Sequence, residues 1–180
     1  FIGFYFYLRD NFVRVFQFKT ILAVIIASGF FQSIVAIAQY VKQGNVGLRL
    51  LGESPLSLNT TGVAVFFADG EKYLRAYGTT PHPNILAAWL FIAIFTFYFW
   101  YFYRTQQDRW ICGVPKLGVY VVLLFALFFT FSRVIIGLWV LGVVIQLIIV
   151  FFKKEFSENS ILRLRRSVLA LTSASLAVIL

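Results

Sequence analysis

The feature that most constrains this chain is a nearly unbroken apolar run from Leu117 to Phe152, interrupted only at Thr130, Ser132, Arg133 and Gln146. A single helix of this length would extend roughly 54 Å, whereas the hydrocarbon core of a bilayer is about 30 Å thick. The run is therefore predicted to form two helices that turn at Phe131-Ser132-Arg133. An arginine in such surroundings is costly unless it reaches water or a partner, which places this turn at a membrane surface.

The composition of the whole chain is also typical of a membrane protein. Of 180 residues, 61% are hydrophobic and only 13% are charged, a balance that a soluble domain of this size could not cover with polar surface. The sequence therefore predicts an all-α polytopic membrane protein built as a helical bundle. The predicted spans are 21–40, 85–103, 117–131 and 134–152, with partial spans at 1–8 and 168–180. Because the chain begins and ends in apolar runs and lacks methionine, we expect 1–180 to be a fragment of a single longer membrane domain.

The basic residues predict the orientation of this bundle. With these spans, eleven of the sixteen Lys and Arg residues fall on one side, in short connections and in the segment after residue 152. Five fall on the other side, namely Lys42, Arg49, Lys72, Arg75 and Arg133. The positive-inside rule makes the first side cytoplasmic and the long loop 41–84 external. Since the net charge of +9 arises between apolar runs, nucleic acid is not the expected partner.

The long loop has signals of local order. The β-prone run 63–67, the Asp69-Gly70 turn signal and the alternating run 72–77 predict a short β-hairpin lying on the membrane surface. The segment 46–58 is predicted to contain a short interfacial helix.

The end of the loop is its most informative part. Two prolines bracket the only histidine, His82, and Asn84 is a favourable N-cap for a helix beginning at Ile85. The positive end of that helix would face outward beside the imidazole, with Arg75 a few residues upstream. An anion at this position would meet helix N–H groups and a guanidinium.

Arg133 is predicted to lie on the same side, flanked by the hydroxyl groups of Thr130 and Ser132. Each residue also has a simpler interpretation: His82 as a solvated turn residue, Arg133 as an arginine that snorkels to water, and Asn84 as a cap alone. Together they favour a site, because the only histidine and an arginine at membrane depth meet on one face without a structural need.

The sequence Arg75-x-x-Gly78-x-x-x-His82-Pro83-Asn84, followed by Thr130-Phe131-Ser132-Arg133, resembles the O-antigen ligase and O-antigen polymerase superfamily of bacteria. The resemblance extends from about the first span through the fourth. It implies a helical membrane glycosyltransferase of the C type. Such enzymes move a glycan from an undecaprenyl pyrophosphate carrier to a sugar hydroxyl at the external face of the inner membrane, in polysaccharide and lipopolysaccharide synthesis, without a metal ion or other cofactor.

The resemblance also implies roles for individual residues. Arg75 and Arg133 would bind the pyrophosphate, whose developing charge a planar guanidinium stabilises through paired hydrogen bonds. His82 would be the catalytic base, since its ordinary pKa lies near 7. The remaining predicted substrate-lining residues are Tyr77, Thr79, Asn84 and Ser132. In the ligases the base belongs to a later external loop, so a positioning role for His82 stays open.

Other functions stay open as well. A transporter or flippase of lipid-linked glycans would be an alternative, although the four complete predicted spans contain no acidic residue and no lysine of the kind that ion-coupled transporters use. Within the superfamily, ligation, polymerisation and protein glycosylation are equally compatible with these motifs. The expected partners are the bilayer, the lipid-linked glycan and a glycan or lipid-sugar acceptor.

Overall fold

The computed structural model describes residues 17–68, 70–105 and 113–152, together with positions 2, 3, 6, 7 and 9. The predicted partial span at 168–180 lies outside the described residues. Of the partial span at 1–8, the isolated described positions are helical.

Four helices account for most of the described chain. They are α1 (Phe18–Lys42), α2 (Pro83–Thr105), α3 (Gly113–Phe129) and α4 (Arg133–Phe152). Helix α1 and the Pro83–Trp100 part of α2 are long and apolar enough to cross a membrane, while α3 and α4 contain the shorter apolar stretches Leu117–Phe129 and Arg133–Ile148. The predicted mainly helical character is confirmed.

Between α1 and α2, the long loop contains a 3₁₀ turn at Arg49–Leu51 and two antiparallel strands, β1 (Val65–Ala68) and β2 (Glu71–Leu74). Val65 is opposite Leu74, and Ala68 is opposite Glu71. This confirms the predicted hairpin. Within 46–58, where a short interfacial helix was predicted, only the three residues of the 3₁₀ turn are helical, and the interfacial position of the segment stays a prediction.

Two helix boundaries also differ from the prediction. Helix α2 begins at Pro83 rather than Ile85, because His82 is the N-cap residue and its carbonyl accepts hydrogen bonds from the N–H groups of Ile85 and Leu86. Proline suits the first helical position, where its missing N–H is not needed. The turn between α3 and α4 consists of Thr130, Phe131 and Ser132, one residue earlier than predicted.

Helices α1, α2 and α3 pack against one another, and α4 packs against α2. Buried leucine, alanine and aromatic side chains form one core, and within it the hydroxyl groups of Tyr98 and Tyr120 share a hydrogen bond of 2.7 Å. The N–H of Ala76 donates to the carbonyl of Phe129 at 3.0 Å. The long loop therefore covers the same end of the bundle as the α3–α4 turn.

Gly29 and Gly118 form a matched pair that tests the close packing of α1 on α2. A Cβ atom at Gly29 would collide with the Cβ of Ala93, whereas a Cβ at Gly118 meets nothing within 4 Å. Alanine is the better helix former by about 1 kcal/mol, so Gly118→Ala is expected to maintain or raise the unfolding midpoint in detergent. Gly29→Ala is expected to lower it by an amount equivalent to roughly 1–3 kcal/mol. Equal midpoints for the two variants would contradict the observed contact.

Candidate functional site

Three glutamines, two in α1 and one just after it, attach the long loop to the helix. Gln32 and Gln39 are seven residues apart, so their side chains lie on one face of α1, whereas Gln43 follows the last helical residue in a left-handed conformation with a φ of +53°. Each binds a different part of the loop. The Oε1 atom of Gln43 accepts a hydrogen bond from the N–H of Leu74 at 2.6 Å, and the Oε1 atom of Gln32 accepts one from the N–H of Thr79 at 2.9 Å.

Gln39 makes the central attachment and is fully buried. Its Oε1 atom accepts hydrogen bonds from the N–H groups of Tyr77 at 3.1 Å and Gly78 at 2.8 Å. Its Nε2 group donates to the carbonyl of Gly78 and to the Oε1 atom of Glu53, both at 2.8 Å. The amide therefore uses all its donors and acceptors, as a buried polar group must if it is not to destabilise the fold.

Gly78 is required where the loop passes between α1 and α2. Its φ of +60° is a left-handed conformation, and a Cβ atom would collide with the Oε1 atom of Gln32 and press against Leu86. Glycine adopts this conformation without steric cost. The loop can therefore approach the two helices closely enough for Gln32 and Gln39 to reach its backbone.

Glu53 holds the first part of the loop. Its buried carboxylate accepts hydrogen bonds from the N–H groups of Val46 at 2.6 Å, Gly47 at 2.8 Å and Leu48 at 2.5 Å, in addition to the bond from Gln39. Burial alone would raise the pKa of Glu53, but these four hydrogen bonds to the ionised form outweigh it and hold the pKa below its ordinary value.

Arg75 connects the loop to the two helical ends beside it. Its Nε–H donates to the carbonyl of Thr130 at 2.7 Å, and one of its terminal amino groups donates to the Oδ1 atom of Asn84 at 2.8 Å. Partial burial lowers the pKa of Arg75, with a smaller opposing effect from Tyr77. An arginine nevertheless keeps its charge at neutral pH. The guanidinium is thus oriented before any ligand binds.

Stacked aromatic rings hold the hairpin against the α3–α4 turn. The ring of Phe66 on β1 stacks on Phe131 with centroids 3.7 Å apart, and Tyr40 at the end of α1 stacks on Phe129 at 4.0 Å. Phe131 has a φ of +49°, unusual for a residue other than glycine. Strain of this kind, costing about 1–2 kcal/mol, persists only where the surroundings fix it.

These contacts border an open cavity of about 930 Å³ between the hairpin, the start of α2 and the start of α4. The residues that line it are Val65, Phe66, Phe67, Arg75, Asn84, Phe131, Ser132, Arg133, Val134, Ile135 and Ile136. Two of them are arginines, and within the described part of the chain the lining contains no acidic side chain. One part of the wall is therefore cationic, and the rest is largely aliphatic and aromatic.

Four of the seven predicted site residues line this cavity together. Arg75 and Asn84 come from the loop and the start of α2, whereas Ser132 and Arg133 come from the start of α4. Ser132 is buried, and its carbonyl accepts a hydrogen bond from the N–H of Ile136, which makes it the residue that precedes the first turn of α4.

The other three predicted residues lie outside the lining. Tyr77 is buried beneath the hairpin, where its hydroxyl accepts a hydrogen bond from the N–H of Ala64 at 2.6 Å. The hydroxyl of Thr79 accepts one from the Nε2 group of Gln32 at 2.6 Å. The polar atoms of Tyr77 and Thr79 bind the protein itself, and their substrate-lining role stays a prediction.

His82 is exposed at the N-terminus of α2. Its Nδ1 atom accepts a hydrogen bond from the N–H of Asn84 at 3.2 Å, and its ring meets the edge of Tyr77 at 6.3 Å between centroids. The imidazole thus occupies the capping position that the sequence assigned to Asn84, whose own side chain binds Arg75. An imidazole that caps through Nδ1 must be unprotonated at that nitrogen, which leaves Nε2 to carry the hydrogen.

Sequence reasoning missed the glutamines of α1 and the carboxylate of Glu53. A signal for the first was present, since Gln32 and Gln39 recur seven residues apart on one face of an otherwise apolar helix. No sequence pattern around Glu53 indicated its role, because three of its four hydrogen-bond partners are backbone N–H groups. Among the described residues, no three His, Cys, Asp or Glu side chains are grouped so that they could hold a metal ion.

Comparison with known proteins adds no relative to this description. No protein family matches the chain, and neither a curated protein nor a solved structure matches it.

The carboxylate of Glu53 predicts a dependence of stability on pH. Because its pKa in the folded protein lies below the ordinary value of 4.5, its contribution is complete at neutral pH and is lost as the pH falls through the folded pKa. Glu53→Gln replaces one of the two carboxylate oxygens by an amino group and so leaves two of the four donors without an acceptor. We expect it to lower the unfolding midpoint at neutral pH by an amount equivalent to roughly 1–3 kcal/mol.

The difference between wild type and Glu53→Gln should narrow as the pH falls below 4.5 and through the lowered pKa of Glu53, because protonation weakens the wild-type contacts. Glu71→Gln is the matched control, because Glu71 is exposed on β2. A gap between wild type and Glu53→Gln that is independent of pH would contradict this role of the carboxylate.

Proposed function

We propose that the protein is a membrane glycosyltransferase of the O-antigen ligase or polymerase type, which transfers a glycan from an undecaprenyl pyrophosphate carrier to a sugar hydroxyl. The observation that carries the proposal is the shared cavity of Arg75 and Arg133. These residues are fifty-eight positions apart in the sequence, and the motif resemblance had assigned both to the pyrophosphate.

The charge of the cavity supports a phosphate ligand. Two guanidinium groups in a lining without acidic residues, within the described chain, create a positive potential that attracts a diphosphate. Arg75 is fixed by Thr130 and Asn84, so it keeps its orientation while charge builds on the leaving phosphate. Preorganised donors of this kind stabilise a transition state without further rearrangement. The N-termini of α2 and α4, at Asn84 and Arg133, add partial positive charge.

The apolar part of the cavity supports a lipid carrier. Val134, Ile135 and Ile136 follow Arg133 in the first turn of α4, and Phe66, Phe67 and Phe131 add aromatic rings to the lining. A polyprenyl chain attached to a diphosphate has this sequence of charge followed by hydrocarbon. The cavity can therefore receive both parts of such a carrier at once.

The arrangement of the bundle is consistent with catalysis at one membrane surface. If all four helices cross the bilayer, then Arg75, His82 and Arg133 lie at the end covered by the long loop, which the distribution of basic residues makes external. We propose that this end faces outward from the bacterial inner membrane and that the chain spans it several times.

His82 can serve this reaction in either of two ways. Its Nδ1 atom caps α2 through the N–H of Asn84, and Asn84 in turn binds Arg75. To act as a base, worth roughly 10² to 10⁴ in rate, Nδ1 would have to release the N–H of Asn84 and take the proton of the acceptor hydroxyl, because Nε2 already carries a hydrogen. Capping instead makes His82 a positioning residue for the pyrophosphate site. The exposed imidazole is accessible to an acceptor at the rim.

Removal of either cavity arginine tests the proposed reaction. Arg75→Ala and Arg133→Ala are each expected to reduce glycan transfer in membranes by about 10² to 10³, the usual cost of losing one preorganised donor to a transition state. Lys19→Ala is the matched control, since this lysine is exposed at the opposite end of α1. Full transfer by Arg133→Ala in protein that is inserted at normal abundance would remove Arg133 from the mechanism.

Two substitutions at His82 separate base from cap. Asparagine can accept the N–H of Asn84 as an N-cap but cannot act as a base at neutral pH, whereas alanine can do neither. If His82 is the base, His82→Asn and His82→Ala should both lose about 10² to 10⁴ in transfer rate, with loss of the pH dependence assigned to the imidazole. If it is a cap, His82→Asn should retain nearly full transfer, and that result would exclude the base.

A further inference from the structure

The 3₁₀ turn at Arg49–Leu51 displays apolar side chains that nothing in the described chain covers. Leu50 is completely exposed, and Leu51 is 56% exposed. Val46, just before the turn, and Val41, at the end of α1, are also exposed. Leucine side chains in this state are unfavourable in water, so their presentation on an ordered turn indicates an apolar environment.

Contacts with Gln39 fix the height of this turn along α1. The carboxylate of Glu53 binds Gln39, which lies one turn before the end of the helix, and the same carboxylate binds the N–H of Leu48. The turn therefore lies beside the last turns of α1. Since α1 is long and apolar enough to cross a membrane, this is the level at which its apolar stretch ends.

Several backbone N–H groups in and beside the turn have hydrogen-bond acceptors within the protein. The N–H groups of Val46, Gly47 and Leu48 bind Glu53, and those of Leu51 and Gly52 bind carbonyls within the turn. Unsatisfied backbone groups are costly where water is scarce, and irregular backbone enters such regions only when its polar groups have partners.

Two exposed cations flank the apolar side chains. Lys42 ends α1, and Arg49 begins the turn. Both side chains have long apolar stems, so they can extend from the edge of the hydrocarbon to the phosphate groups of lipids. Leucines beside cations are the composition expected of a segment that lies in the headgroup region of a bilayer.

We propose that the segment Val46–Leu51 is an interfacial anchor, which docks on the headgroup–acyl boundary of the bilayer that α1 crosses. Leu50 and Leu51 enter the acyl region, and Arg49 and Lys42 bind lipid phosphates. The anchor fixes the height of the Glu53 end of the loop, while Gln39 connects that end to the segment carrying Arg75. This inference rests on the proposed membrane insertion of α1 and is independent of the proposed glycan transfer.

Spin-label accessibility tests the anchor directly. The only cysteine, Cys112, is replaced by alanine in the full chain, and a nitroxide is attached at Leu50→Cys in proteoliposomes of phosphatidylcholine and phosphatidylglycerol. The control is Asn59→Cys, an exposed position elsewhere in the same loop. Oxygen partitions into the acyl region and nickel-EDDA stays in water. We expect oxygen to relax the label at Leu50 more strongly than nickel-EDDA, and the reverse at Asn59.

Two results would overturn the proposal. A label at Leu50 that is as accessible to nickel-EDDA as the label at Asn59 would place the turn in water. A label shielded from both reagents would place it against protein, either a second copy or another part of the same chain. A second label at Leu51→Cys guards against a local disturbance, since it must report the same oxygen preference. None of these readouts depends on transfer activity, so they distinguish failure of the anchor from failure of the enzyme.

Discussion

The buried amide of Gln39 is the interaction on which the geometry of this end of the protein depends. A loop of forty residues has no reason to adopt one conformation beside a helical bundle unless its polar backbone is bound to something rigid. Gln39 supplies that attachment by binding Tyr77, Gly78 and Glu53 together. The segment that it holds continues directly into Arg75 on one side and into α2 on the other. The amide therefore determines where the guanidinium can lie.

A chain of contacts leads from this amide to the cavity. Ala76 binds the carbonyl of Phe129, Arg75 binds the carbonyl of Thr130, and the stacked rings of Phe66 and Phe131 join the hairpin to the same turn. The two arginines come from segments that form no regular structure with each other. They share a cavity because the loop is bound at both ends to helices whose packing is already fixed. This is preorganisation by the scaffold, which would reduce the ordering that binding of the proposed ligand requires.

The sequence was sufficient for the parts of the fold that depend on periodicity and on local turn chemistry. The apolar runs predicted the four helices to within a few residues, and Asp69-Gly70 between β-prone runs predicted the hairpin. Prediction from the sequence failed where tertiary contacts determine the local conformation. Most of segment 46–58 is not helical, and its backbone N–H groups at Val46, Gly47 and Leu48 bind the carboxylate of Glu53. His82 caps α2 in place of Asn84, because the side chain of Asn84 binds Arg75.

In the candidate site, too, some features could be predicted from the sequence and others could not. Its cations could be predicted, because an arginine in an apolar run and another beside a helix start are conspicuous in the sequence. The inward packing of Tyr77 and Thr79 could not, because their partners, Ala64 and Gln32, are distant in the chain. The resemblance to a ligase motif assigned all these residues to a substrate, although side chains close to a site often support it instead of touching the ligand.

A double-mutant cycle on binding tests the central claim most directly, because it asks whether Arg75 and Arg133 hold the same anion. The measurement is the affinity of polyprenyl pyrophosphate for detergent-solubilised wild type, Arg75→Ala, Arg133→Ala and the double variant, by titration calorimetry. The account predicts that the two losses do not add, with a coupling of about 0.5–3 kcal/mol between residues that share one ligand. Losses that add to within about 0.3–0.5 kcal/mol, or an affinity that neither substitution changes, would contradict it.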